Sequence, residues 1–338
     1  MIIQSPESAM PEPFKTYVRQ RSETIADVLS PVIKDADVQL CPRAITEDEY
    51  VFAGSENAIV YGVIVKSKKE GFKSDLYNPT QPKTLGIATD NIAKALAYGQ
   101  AQFVSGNRVR VKDPRESDGQ GQQTVEDSDE LGEAFYALGE GSPNGVVLMP
   151  HLETISHRAS LGYINLGRAG TYLYLGREET TRNNDKEVYG GTQLGLFHGQ
   201  QFFDYKKFRK IEEKLEVPRI LRQIGKSTLT DYFGRAMSPT GDIISLGDKH
   251  VGRVSFDVVQ DITDNGTPFA GVIDVTPRVG GTTPAEVLAI REIRSDRRAI
   301  CYASSKLYYE TKNTPKSGVN FIDTDSLVIN AQIEDVTK

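Results

Sequence analysis

The stretches GRVSFDVV (252–259), FAGVIDVTPRV (269–279), RRAICYASSKLYYE (297–310), VNFID (319–323) and SLVINAQIEDV (326–336) decide the fold. In each, β-branched and aromatic residues alternate with polar ones or stand in short apolar runs. Turn signals separate them: Asp264–Asn265–Gly266, the pair Gly280–Gly281 and the loop NTPKSG at 313–318. Strands at such intervals predict a mostly antiparallel sheet over 241–338, sandwich or barrel-like. Residues 254–279 also hold two similar halves, VSFDVVQDIT and GVIDVTPRV, too short to establish a repeat.

Upstream, the pattern changes period. Tyr205, Phe208, Ile211 and Leu215 recur at helical spacing, Pro218 restarts the helix, and a third short helix is expected over 227–237. Residues 201–240 therefore read as a helical segment. A helix from Asp90 to Phe103 carries Ile92, Ala95, Leu96 and Phe103 on one face, and a shorter one is expected over 128–138. Strands are expected at 59–66, 108–112, 145–149 and 171–175. The polar stretches 113–130 and 176–190 carry few large apolar residues and read as long surface loops. Residues 1–21, with Pro6, Pro11 and Pro13, read as an extended N-terminal arm. The division is thus arm 1–21, α+β region 22–200 with long polar loops, helical segment 201–240 and antiparallel β region 241–338, which can form one domain with 22–200. The fold class is α+β, β-dominated, with a few short helices.

Composition narrows the function classes. The chain has 338 residues, a net charge of -6 and 25% charged residues, so it is globular and not generally basic. No run of 18 apolar residues predicts a transmembrane helix. The start MIIQSPESAMPEPFK lacks a basic region followed by an apolar block, so no secretory signal is expected. The expected location is a virion or the cytoplasm.

Catalytic motifs do not emerge. Four histidines, His151, His157, His198 and His250, stand in unrelated contexts, and none has zinc-pair spacing on a helix. Cys41 and Cys301 cannot form a disulfide framework, and neither has an activating histidine nearby in sequence. GKST at 225–228 resembles the tail of a phosphate loop, but Ile220 stands where the leading glycine belongs. A helix end at Gly225 and a cap at Ser227 explain it better. No catalytic, cofactor-binding or metal residue is assigned, and no cofactor is expected.

Charge clusters supply the contact candidates. Arg108, Arg110 and Lys112 alternate along RVRVK and can bind phosphates or guard an edge strand. Residues 205–226 carry eight basic and three acidic side chains, with Lys206, Lys207, Arg209 and Lys210 together. Residues 116–140 are acidic, so copies of the chain could meet head to tail. Phe14, Tyr17 and Val18 are candidate anchors for the arm on a neighbour. β-rich text, long polar loops, a proline-bearing arm and no catalytic constellation favour a non-enzymatic structural subunit of a large symmetric assembly. A capsid, neck, tail or baseplate component of a virion is such a subunit. Its partners would be copies of itself and other assembly proteins. A nucleic-acid-binding protein using the basic strand and helices is the alternative, and an enzyme with dispersed carboxylates is the third.

Overall fold

A computed structural model describes residues 2–4, 14–31, 33, 38–40, 45–46, 59–61, 63–65, 86–113, 122–139, 145–183, 186–199, 204–224, 245–246, 249–276, 279–296, 298–309 and 317–334. The N-terminal part gives β1 (Ile2–Gln4), α1 (Phe14–Leu29), β2 (Val38–Leu40), β3 (Ile45–Thr46), β4 (Ile59–Tyr61) and β5 (Val63–Val65). Next come β6 (Ile87–Thr89), α2 (Ile92–Val104), β7 (Val109–Lys112), β8 (Gln122–Val125), α3 (Ser128–Gly139) and β9 (Val146–Pro150). Three long strands follow: β10 (Leu152–Asn165), β11 (Thr171–Asn183) and β12 (Lys186–His198). After them stand α4 (Tyr205–Leu215), β13 (Ser245–Leu246), β14 (Lys249–Val251), β15 (Arg253–Thr263) and β16 (Pro268–Thr276). The last elements are α5 (Thr283–Asp296), β17 (Cys301–Tyr308), β18 (Val319–Asp323) and β19 (Val328–Ile333).

An eight-stranded antiparallel sheet, ordered β16-β15-β10-β11-β12-β17-β19-β18, dominates the chain. The expected α+β, β-dominated class is what the chain adopts. Alternation along β15 explains why both faces are covered. Val254, Phe256 and Val258 point into a core with Leu161, Leu173, Leu175, Phe197 and the α4 residues Phe208, Ile211 and Leu215. Fully burying each such side chain stabilises the fold by roughly 1.5–3 kcal/mol. The opposite face packs against α1 and α5 through Ile25, Leu29, Tyr172, Leu194, Leu196, Leu288 and Ile290. Helices thus supply most of the cover on both faces.

A smaller sheet, β6-β9-β7-β8, packs on α2 and α3 around Val109, Val111, Leu131 and Leu148. Two further small sheets are β1-β2-β4, all parallel, and β13-β14-β5-β3, in which β3 and β5 are parallel. These short parallel pairs were not expected.

Several local expectations change. The arm is helical from Phe14, because Ile25, Val28 and Leu29 bury at helical spacing and anchor the whole of α1. The Tyr17 hydroxyl hydrogen-bonds Ser326 Oγ of the same chain at 2.7 Å. The Phe14 and Val18 side chains lie outside the described residues. Within the 113–130 stretch, 122–125 is β8, paired with β7. The 176–190 stretch is no loop but the outer half of the β11–β12 hairpin, laddered through Thr180↔Tyr189, Thr181↔Val188 and Arg182↔Glu187. Cross-strand pairing satisfies that polar backbone, which hydropathy alone does not reveal. The C-terminal strand region is interrupted by α5. Pro284 stands in its first turn, and Val287, Leu288, Ile290 and Ile293 are buried around it. The expected helix over 227–237 lies outside the described residues. Among the described residues no helix is long and apolar enough to cross a membrane.

Candidate functional site: charged rows at a junction of two sheets

Residues in register across an antiparallel sheet share a face, and so do residues two apart on one strand. On the α5 face of the large sheet this produces two polar rows. Asp274 on β16 lies opposite Asp257 on β15, Asp257 opposite Ser160 on β10, and Ser160 opposite Gly176 on β11. One step along, Glu178 lies opposite Thr192, and Thr192 opposite Ser305, with the charge of Arg158 acting on Glu178. A Cβ at Gly176 would stand 2.7 Å from Thr192 Cγ2 and 2.9 Å from Ser160 Oγ, so glycine keeps the floor between the rows open.

The electrostatics of this patch are unbalanced. Arg158, Glu178, Asp257 and Asp274 are half-buried. Burial pushes the Asp257 carboxyl well up, and the charges of Glu178 and Asp274 push it further. Burial also raises Glu178, against the pull of Arg158. The side-chain hydrogen bond between Glu178 and Asp257 raises Asp257 further and lowers Glu178. Tyr189 stays protonated because of burial and the nearby Glu178 charge, and its hydroxyl lies 2.5 Å from Thr192 Oγ1. Ser160 Oγ is fully buried and has no hydrogen-bond partner among the described residues.

The smaller sheet brings cations to the same place. Alternation along β7 buries Val109 and Val111 and turns Arg110 and Lys112 the other way. Lys112 Nζ reaches the carbonyl of Ile273, next to Asp274, at 3.4 Å. Burial lowers the Arg110 pKa, and the facing charge of Arg158 lowers it further. Arg110 Nη2 stands 3.4 Å from His151 Nδ1, while its Nε is buried without a partner. Arg108 makes a separate fastening. Its Nε and Nη2 bind Asp264 Oδ2 and Oδ1, each at 3.1 Å, at the tip of the β15–β16 hairpin.

Three cations and three carboxylates therefore converge where the two sheets meet. Lys112, Arg110 and Arg158 can receive phosphate or carboxylate oxygens. Among the described residues no three His, Cys, Asp or Glu side chains close on a metal ion by themselves.

Of the sequence-derived candidates, Arg110 and Lys112 belong to this site, and Arg108 lies at its edge. Lys206, Arg209 and Lys210 are exposed on α4, on the other side of the large sheet. Lys207 is engaged locally, 3.3 Å from Asp204 Oδ2 and over the Phe197 ring. Glu178, Asp257, Asp274, Arg158 and Ser160 were missed. The available signal was the pair of similar halves, which places Asp257 and Asp274 at matching points inside apolar strands.

Comparison with solved structures gives low-identity likenesses. One is N5-carboxyaminoimidazole synthetase from Staphylococcus aureus, 12% identical with a TM-score of 0.46, over 93% of this chain and 91% of that one. A second is biotin carboxylase from Campylobacter jejuni in a β-γ-ATP complex, 11% identical with a TM-score of 0.44, over 98% and 81%. A third is the biotin carboxylase domain of Hydrogenobacter thermophilus 2-oxoglutarate carboxylase. It is 12% identical with a TM-score of 0.48, over 95% and 74%. These are a synthetase and carboxylases, and the expectation of a non-enzymatic virion subunit is corrected on that finding. No curated protein matches the sequence. A family model described as "Protein of unknown function (DUF3182)" matches residues 57–328, and the chain belongs to that family.

Proposed function

We propose that this protein is an enzyme of the ATP-grasp kind, which binds a magnesium-bound nucleoside polyphosphate between β7 and the β15–β16 hairpin and transfers its terminal phosphoryl group to an acceptor. The observation that carries this reading is the meeting of Arg110, Lys112 and Arg158 with Glu178, Asp257 and Asp274 at one junction. Phosphoryl transfer asks a protein mainly for positioning and charge stabilisation, and this junction offers both. Lys112 and Arg110 would grip phosphate oxygens from the small sheet, and Arg158 from the large one. Asp257 and Asp274 would hold magnesium, whose contribution when bound is to neutralise phosphate charge. Metal binding would favour the ionised form of Asp257, and Ser160 Oγ supplies a further polar atom in the same row.

Calorimetric titration with ATP and ADP, with and without magnesium, tests this reading. Binding is expected to require magnesium and to weaken at least about tenfold in both Lys112→Ala and Asp274→Asn, the loss typical of one charged phosphate or metal contact. Folded wild-type protein that binds neither nucleotide in the presence of magnesium would refute it.

A further inference from the structure

One ion pair on the large sheet is sealed from solvent. Arg253 and Glu286 are both wholly buried. Arg253 Nη2 binds Glu286 Oε1 at 2.6 Å and Thr282 Oγ1 at 2.8 Å, and Nε binds Glu286 Oε2 at 3.2 Å. Nη1 binds the carbonyl of Thr276 at 2.7 Å, and Nη2 also reaches the Tyr174 hydroxyl at 3.3 Å. Tyr61 donates to Glu286 Oε2 at 2.7 Å, and Thr282 donates to Glu286 Oε1 at 2.7 Å. The Tyr174 ring reaches this knot by lying over Gly162, where a Cβ would stand 1.9 Å from the ring.

A buried ion pair is a poor device for stability alone, since apolar residues of similar volume often serve as well. The partners here indicate another use. Thr276 ends β16, two residues after Asp274, and Thr282 precedes α5. A single planar guanidinium thus grips both ends of the β16–α5 connection. Lysine cannot make both bonds in that geometry. On the same face, Asp257 stands four residues along β15 from Arg253.

We infer that Arg253, locked by Glu286, is a positioning residue: it fixes the end of β16 relative to β15, and so sets the spacing of Asp274 and Asp257 that the bound cation requires. This rests on the magnesium–nucleotide reading for its ligand, but not for the mechanical hold.

The experiment compares wild type with Arg253→Met/Glu286→Leu, which keeps volume and removes both charges, and with the milder Arg253→Lys and Thr282→Val. Two quantities are read: the affinity for Mn²⁺ together with ADP, by electron paramagnetic resonance and calorimetry, and hydrogen exchange at the Gly280 and Thr283 amides. The expected result is a folded double variant that loses at least about tenfold in Mn²⁺ affinity in the presence of ADP relative to wild type. Exchange at both amides should accelerate at least about tenfold, and Arg253→Lys should not restore either property. If the double variant does not fold, Thr282→Val is expected to show both effects in smaller measure. Unchanged Mn²⁺ affinity in folded variants of a wild type that binds it overturns the inference and leaves the nucleotide reading standing. A wild type that binds neither Mn²⁺ nor ADP refutes the nucleotide reading, and exchange then decides alone. Unchanged exchange overturns the mechanical hold, and accelerated exchange supports it.

Discussion

Two charged clusters occupy the same face of the large sheet, four residues apart along β15, and they are built in opposite ways. Around Arg253 every charge has its partner. Burial works against the charged guanidinium, but the Glu286 carboxylate outweighs it and raises Arg253 above its ordinary value. Burial likewise works against the Glu286 carboxylate, yet Arg253 keeps it below its ordinary range. Around Asp257 burial and the like charges of Glu178 and Asp274 act together, and all push its carboxyl up. A closed cluster belongs to the architecture. A cluster whose carboxyls are held above their ordinary values is arranged for something that arrives from outside.

The sharpest way to break the contrast is to unbalance the closed cluster. Glu286→Ala leaves Arg253 buried and alone, and should cost about 3–5 kcal/mol in urea unfolding, the usual penalty for an orphaned buried charge. The sign of its pH dependence follows from the lowered Glu286 pKa. The stability contributed is fully present above the unfolded value near 4.5 and fades as pH falls through the folded one, so the difference from wild type should shrink in acid.

Asp257→Asn probes the open cluster and should do the reverse. Removing like-charge repulsion should stabilise the apoprotein by about 1 kcal/mol at neutral pH while abolishing metal-dependent nucleotide binding. Because Asp257 and Glu178 are raised, the native state holds more protons than the unfolded chain above about pH 4. Wild-type stability should therefore fall as pH rises from there through the folded values, and the variant should flatten that slope. Thermal melts across pH 4–8 read both effects. A destabilised Asp257→Asn at neutral pH would make the two clusters alike.

The smallest effect belongs to charge outside either cluster. Arg209 pairs with Glu213 at 2.8 Å on exposed α4, and Arg209→Ala should leave the melting temperature within experimental scatter and nucleotide binding unaltered.

The sequence carried the strands well and the charges poorly, for a physical reason. Alternation in VSFDVV and TYLYL, and turns such as Asp264–Asn265–Gly266, are local signals, and β15, β11 and the β15–β16 hairpin formed where they pointed. Helix α5 went unread because burial on nearly every side removes the polar stripe that marks a surface helix. The polar outer half of the β11–β12 hairpin went unread because its stability is in the ladder, not in side-chain hydropathy. The site was legible only in part. Arg110 and Lys112 stood out by alternation within one strand. Glu178, Asp257 and Asp274 are spread over three strands, and register, not spacing, unites them. The like charges on Asp257 and Asp274 face each other across a ladder, an arrangement a sheet tolerates only at a cost.

The hydrogen bond from Tyr61 to Glu286 joins residues 225 apart in sequence. Contacts so distant form late, because the chain must close a long loop before the contact rewards it. On the ribosome Tyr61 emerges long before Glu286, so β4 waits for α5 while β6–β12 can already assemble. The Arg253–Glu286 knot therefore cannot close before both β15 and α5 have been made. On the proposed reading, a chain truncated before α5 would present the cations of β7 without the Glu286 anchor that holds Arg253 and the end of β16.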